Sequence, residues 1–216
     1  MYQNVIFDLD GTLLNTLEDL KDSTNYALAQ HGYPTHTLEE VRCFVGNGIR
    51  KLIDRAVPEG TSVEKTDKVF ATFREYYATH SRVKTSMYEG MEQVMDALKE
   101  QNISMAIVSN KADDAVKDLA KYYFAKYIDV AIGEREGISR KPAPDSVYEA
   151  MRLLGATKEN TVYVGDSDVD RATAKNAGIP CISVTWGFRS EELLVSLEPE
   201  YLIHKPEEIL SVVTGK

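Results

Sequence analysis

Residues 4–16 read Asn-Val-Ile-Phe-Asp-Leu-Asp-Gly-Thr-Leu-Leu-Asn-Thr. Val5, Ile6 and Phe7 form a short apolar run of the kind that makes a fully buried strand. Asp8 and Asp10 follow where that strand should end. Residues two apart on an extended chain point to the same side, so both carboxylates can enter one small space. Gly11 permits a sharp turn, and Thr12 sets a hydroxyl beside the acids. Two close carboxylates repel unless a cation or a proton intervenes. A hard divalent ion such as magnesium accepts one or two carboxylates together with phosphate oxygens. An isolated Asp-x-Asp is more simply a pair of solvated loop acids. The rest of the chain decides between the two readings.

The chain has 216 residues, enough for one generous domain or a domain with an insertion. Its hydrophobic fraction of 43% is that of an ordinary globular protein. A formal net charge of -9 gives no general attraction for phosphate backbones, which argues against nucleic acid as a partner. Cys43 and Cys181 are far apart and show no metal-site spacing, the usage of reduced residues in the cytoplasm. No apolar run is long enough to span a bilayer, so no membrane partner is expected. The N-terminus lacks a basic segment followed by an apolar signal core. A monomer is expected, with a dimer as the alternative, since no long heptad or apolar patch argues for assembly.

Residues 15–85 read as helical throughout. Leu17, Leu20, Thr24, Ala27 and Leu28 recur at helical spacing, and Gly32 and Pro34 end that helix. Thr37 with Glu40 three residues later forms a capping-box pattern ahead of Leu38, Val41 and Phe44. Gly46-Asn47-Gly48 breaks the pattern, and Ile49, Leu52, Ile53 and Ala56 resume it. A last long helix is predicted from Val63 to Ser81, with Val69, Phe70, Phe73 and Tyr77 on one face. The two glycines of Gly46-Asn47-Gly48 let a backbone approach a ligand closely, and equally suit a plain break between helices. Arg50 and Lys51 can meet an anionic substrate, although exposed basic side chains are usually just solvated.

After residue 86 strands and helices alternate, which implies a parallel, doubly wound α/β sheet. Strands are predicted at 103–108, 127–132, 161–164 and 181–184. The first of these runs into Ser109-Asn110-Lys111, where a hydroxyl at a strand end can donate to a phosphate oxygen or simply cap a helix. Arg140-Lys141-Pro142-Ala143-Pro144 holds a lysine as a fixed point charge. The strand at 161–164, the fourth of the chain, ends in Gly165-Asp166-Ser167-Asp168-Val169-Asp170, with Asp170 one helical turn beyond Asp166 and Asp168 placed to favour the helix dipole. Trp186 and Phe188 can stack on a substrate or pack at the domain edge.

In composition and order these stretches resemble the four motifs of the haloacid dehalogenase-like hydrolase superfamily, and the resemblance covers nearly the whole chain. It implies a Rossmann-like five-stranded core of residues 1–14 and 86–216 with strand order 5-4-1-2-3, interrupted by an α-helical cap of residues 15–85. It implies a magnesium-dependent phosphatase acting through an aspartyl-phosphate. Asp8 would be the nucleophile, Asp10 the acid and base, and Lys141 the balancing charge. Thr12, Ser109 and Asn110 would bind the phosphoryl group, and Gly46, Asn47, Gly48 and Arg50 the rest of the substrate. Asp8, Asp166 and the main-chain carbonyl of Asp10 would ligate magnesium, with Asp170 a ligand or a support for its water. The cap's Val-Gly-Asn-Gly-Ile, the Asp-Arg-Ala-Thr-Ala-Lys-Asn-Ala-Gly run and the late Trp-Gly-Phe-Arg resemble the phosphoglycolate phosphatases within the family. Asn15 departs from them, where many relatives carry Asp.

The expected partner is therefore a small phosphorylated metabolite. Phosphoglycolate comes first, with nucleotide monophosphates, sugar phosphates and pyrophosphate behind it. A sugar phosphomutase would use the same motifs but resembles this chain less in the cap. A dehalogenase would leave Asp10 without purpose, and a phosphonatase would need a cap lysine in a motif. A receiver domain, which also accepts phosphate on Asp, lacks the helical insertion.

Overall fold

The computed structural model describes residues 1–128 and 130–215. In chain order it forms β1 (Asn4–Phe7), β2 (Leu14–Asn15), α1 (Leu17–Gln30), α2 (Leu38–Phe44), α3 (Gly48–Ala56), α4 (Val63–His80), β3 (Ser86–Met87) and α5 (Met91–Glu100). Then come β4 (Ser104–Ala112), α6 (Asp113–Phe124), β5 (Val130–Glu134), α7 (Asp145–Leu154), β6 (Thr161–Gly165) and α8 (Asp168–Ala177). The chain closes with β7 (Cys181–Val184), α9 (Glu191–Ser196), β8 (Tyr201–Ile203) and α10 (Glu208–Thr214). Two units emerge: Met1–Leu14 with Met87–Lys216, and Asn15–Ser86.

The first unit is built on a sheet of order β5-β4-β1-β6-β7-β8. Every neighbouring pair in it is parallel. Side chains alternate across each strand and so feed two cores. Val5 and Phe7 of β1 and Ile107 of β4 join Met91, Leu98, Leu119, Phe124 and Ile209 on one face. Ile6, Ala106, Val108 and Tyr163 join Val147, Met151, Ala174 and Ala177 on the other. Helices cover both faces, which is the doubly wound arrangement that the near-continuous apolar strands demand.

The expected order of five strands holds from β7 to β5, but the sheet has a sixth strand, β8, paired to the far side of β7. Tyr201–Ile203 is only three residues long and follows Glu198-Pro199-Glu200, too short to show a period. The strand expected at 127–132 occupies Val130–Glu134; Tyr127 and Ile128 precede it, and Asp129 lies outside the described residues. β4 runs on through Ser109, Asn110 and Lys111, with a register shift against β5 between Val108 and Ala112. Ser109 therefore lies within β4, and α6 starts behind Ala112.

The second unit contains α1 to α4. Leu28, Val41, Ile53, Val69 and Phe73 are fully buried. Thr37 and Glu40 make the reciprocal capping box that starts α2. Asp19 on α1 is a buried carboxylate that binds the returning segment. It accepts from Lys84 N–H (3.0 Å), Thr85 N–H (2.9 Å) and the Thr85 hydroxyl (2.8 Å). Among the described residues no helix is long and apolar enough to cross a membrane.

Candidate active site

β1 pairs with β4 on one side and β6 on the other, with Phe7 level with Ile107 and Val164. The C-terminal ends of these central strands thus lie side by side, where open α/β sheets bind ligands. Asp8 N–H donates to the Val164 carbonyl at 2.9 Å, fixing the exit of β1 beside that of β6. Asp8, Asp166 and Asp170 each offer a carboxylate oxygen within 4.8 Å of the others, and all three residues are buried.

Lys141 holds this acidic group together. Its Nζ lies 2.8 Å from Asp8 Oδ1 and 2.7 Å from Asp170 Oδ1, with its side chain 3% exposed. It also donates to the Tyr163 hydroxyl at 3.0 Å, which in turn donates to Asp170 Oδ1 at 3.0 Å. Asp170 Oδ2 accepts from Ser167 N–H (3.1 Å) and the Ser167 hydroxyl (2.5 Å), so both its oxygens are occupied by protein donors. Asp166 Oδ2 accepts from Phe188 N–H at 2.7 Å, and Oδ1 from the Thr12 hydroxyl at 3.4 Å. The main chain must come close to Asp166 at Gly11 and Gly187. A Cβ on either would stand 2.5 Å or 2.2 Å from the nearest Asp166 atom, and Gly11 also has φ +86.

Burial pushes the Asp8 carboxyl up to about 7. Lys141 works against that rise, and the charges of Asp170 and Asp10 add to it. Asp166 is raised well above the carboxylate range by burial first, then by repulsion from Asp170 and Asp8. Burial alone would lower Lys141, but Asp170 and Asp8 outweigh it and hold the ammonium well above its ordinary value. Negative charge is thus in excess around one lysine. Asp8 Oδ1 accepts no directed hydrogen bond and meets Lys141 only as an ion pair. A buried carboxylate oxygen left so, in a set of hard oxygen donors, fits a divalent cation.

Asp10 stands apart from the three acids. Its carboxylate takes Lys111 Nζ on both oxygens, at 2.9 and 3.1 Å. The fold also fixes the protein partners of the other residues singled out in the sequence. Thr12, expected on a phosphoryl oxygen, is fully buried with its hydroxyl on Asp166. The Asn110 side chain, expected on substrate, clamps the Lys141 backbone: its amide donates to the Lys141 carbonyl (3.1 Å) and its oxygen accepts Lys141 N–H (2.8 Å). Ser109 is buried, its Oγ accepting Lys111 N–H at 3.3 Å. Arg50, expected on substrate, pairs with Asp54 at 2.8 Å and with Asp67. Asn47 accepts from Arg55 at 2.8 Å, while Gly46 and Gly48 take positive φ of 108 and 78. These last residues belong to the second unit.

Trp186 donates to the Thr12 carbonyl at 3.1 Å, and Asp168 pairs with Arg189 at 3.0 Å. Sequence reasoning gave no role to Lys111, Tyr163 or the Phe188 amide. A lysine continuing an apolar strand beside Ser109-Asn110 was a usable signal for the first. Tyr163 sits in an apolar run and reads as core. A main-chain donor leaves no mark in sequence.

Carboxylates and lysines thus gather at the C-terminal strand ends of a parallel, doubly wound sheet, where such α/β folds bind ligands. The chain belongs to the haloacid dehalogenase-like hydrolase family, whose model matches residues 5–184. It is 32% identical to Phosphoglycolate phosphatase 1 of Pseudomonas aeruginosa over 212 residues, 95% of this chain and 78% of that protein. It is 30% identical to Pyrophosphatase PpaX of Halalkalibacterium halodurans over 215 residues, 98% of this chain and 97% of that one. A crystal structure from Lactobacillus delbrueckii subsp. bulgaricus superposes with a TM-score of 0.94 at 33% identity, covering 100% of this chain and 99% of its own. The named relatives are thus a phosphoglycolate phosphatase and a pyrophosphatase of this hydrolase family.

Proposed function

We propose that this hydrolase removes the phosphoryl group from a small phosphomonoester, with 2-phosphoglycolate as the first substrate to test. The observation that carries the reading is the buried Asp8 carboxylate, 2.8 Å from Lys141 Nζ and clustered with Asp166 and Asp170. A carboxylate attacks without a base to remove its proton. Asp8 forms a bond to phosphorus as the bond from phosphorus to the ester oxygen breaks, and Asp10 gives a proton to the departing oxygen. Asp10 then takes a proton from the water that hydrolyses the aspartyl-phosphate, which frees phosphate and restores both acids. Lys141 offsets the charge of anion meeting anion.

Magnesium fits the hard donor set, and Asp8, Asp166 and the Asp10 carbonyl would hold it with Asp170 alongside. When bound, it supplies positive charge against the phosphoryl oxygens. Thr12 positions Asp166, and Asn110 positions Lys141. Selection among esters is assigned to the helical unit on family resemblance. The two free cysteines, Cys43 and Cys181, suit a reducing cytoplasm. Pyrophosphate is the second substrate reading, supported by the relatedness to Pyrophosphatase PpaX.

The test is steady-state phosphate release with magnesium across phosphoglycolate, pyrophosphate, nucleotide monophosphates and hexose phosphates, beside Asp8→Asn. One ester far above the rest, with a dead variant, supports the reading. An isomerised hexose phosphate points to the mutase, and undiminished release by Asp8→Asn removes Asp8 from the reaction.

A further inference from the structure

Lys111 is unusual for a residue without a place in the reaction so far. Its side chain is 2% exposed at the end of an apolar strand, and its ammonium spans both oxygens of Asp10, whose own side chain is 21% exposed. An ammonium is removed from water at a cost of several kcal/mol unless it is paired. Here the Asp10 carboxylate supplies a pairing. Lys141 is engaged elsewhere, by Asp8 and Asp170. The site thus has two lysines with separate duties.

We propose that Lys111 is a positioning residue for leaving-group protonation: it fixes the rotamer of Asp10 so that the carboxyl meets the departing ester oxygen. The inference rests on the phosphatase reading and adds to it. A carboxylate on a flexible turn samples several χ1 wells. Contact with a buried cation selects among them, and proton transfer requires the donor, with Lys111 on one oxygen and the proton on the other, within hydrogen-bond reach of the ester oxygen. The step balances as before: the bond to Asp8 forms, the bond to the ester oxygen breaks, and the Asp10 proton moves to that oxygen. Lys111 neither gains nor loses an atom.

The effect should depend on the leaving group. p-Nitrophenyl phosphate releases an aryl oxide that departs without a proton, whereas the alkoxide of 2-phosphoglycolate needs one. Single-turnover leaving-group release is measured for both esters with the full-length, magnesium-supplied enzyme. The ratio of the two rates on one sample cancels the folded fraction. Lys111→Met is expected to slow the alkyl ester at least about tenfold more than the aryl ester, part of the factor general acid catalysis supplies. Lys111→Arg, which keeps a cation with several donors, should bring the ratio back toward wild type. Equal losses on both esters overturn the proposal. So does a raised KM for phosphoglycolate with its saturated rate unchanged, which would make Lys111 a ligand of the substrate carboxylate. The phosphatase reading fails by a different result, no release by the wild type or full release by Asp8→Asn, and this proposal falls with it.

Discussion

Lys141 Nζ stands between two acids from separate parts of the chain, one directly after β1 and one in the first turn of α8, 2.8 Å from Asp8 Oδ1 and 2.7 Å from Asp170 Oδ1. No other described cation lies within ion-pair distance of Asp8. Replacing Lys141 with Met removes the charge and leaves two buried carboxylates facing each other. We expect phosphate release to fall by at least about a hundredfold, the scale of losing one preorganised electrostatic contact. Unfolding in urea should show a loss of about 3–5 kcal/mol, the cost of breaking a buried pair from one side.

Asp8 makes metal-free stability depend on pH. Burial raises its carboxyl from 3.8 to about 7, so the folded state holds the proton more tightly than the unfolded chain. The stability this confers is complete below the unfolded value and is lost as pH rises through the folded one. Asp8→Asn removes this contribution, leaving that of Asp166. In chelator, its Tm should exceed that of wild type at pH 8, and the gap should shrink at pH 5. A gap that widens toward pH 5 would reverse the sign. Magnesium should narrow the gap at pH 8 by stabilising the charged wild-type site.

Gly11→Ala tests the close approach of the chain to Asp166. The new Cβ would lie 2.5 Å from Asp166 Oδ2, at a φ of +86. Asp166 must move or the turn must refold. Isothermal titration should show weaker magnesium binding, and stability should drop by about 1–3 kcal/mol, the range for residues forced into sparsely populated backbone regions.

Tyr163→Phe removes the hydroxyl that touches both Lys141 and Asp170. Each retains its ion pair. A loss of about 1 kcal/mol in stability is expected, with phosphate release lowered less than by Lys141→Met. A loss equal to that of Lys141→Met would make the hydroxyl a principal member of the site.

The fold was readable because the apolar runs Val5–Phe7, Met105–Val108 and Val162–Val164 are buried on both faces and bounded by polar turns. β8 was not, because three residues carry no period. The site was readable where chemistry needs a scarce residue type: Asp8, Asp166, Asp170 and Lys141 meet as the motif order implies. It was obscure where side chains serve other side chains. Asn110 stands in the sequence as a candidate substrate ligand, and only the fold shows its amide gripping the Lys141 backbone. Arg50 stands in the sequence as a candidate anion receptor, and only the fold shows its ion pairs with Asp54 and Asp67, the second of them well downstream. Partnerships of that kind are properties of folded geometry, and a string of residues does not encode them locally.

The Asp19 carboxylate has a consequence for how such proteins diversify. It binds Lys84 and Thr85 from a helix near the start of the inserted segment, so the two ends of the insertion are stitched together by the insertion's own atoms. The closure entropy of the loop between them is therefore met inside the module, not charged to the sheet that hosts it. A segment self-tied in this way behaves as a cassette. It can be lengthened or exchanged while β1, which leads into Asp8, keeps its register in the sheet.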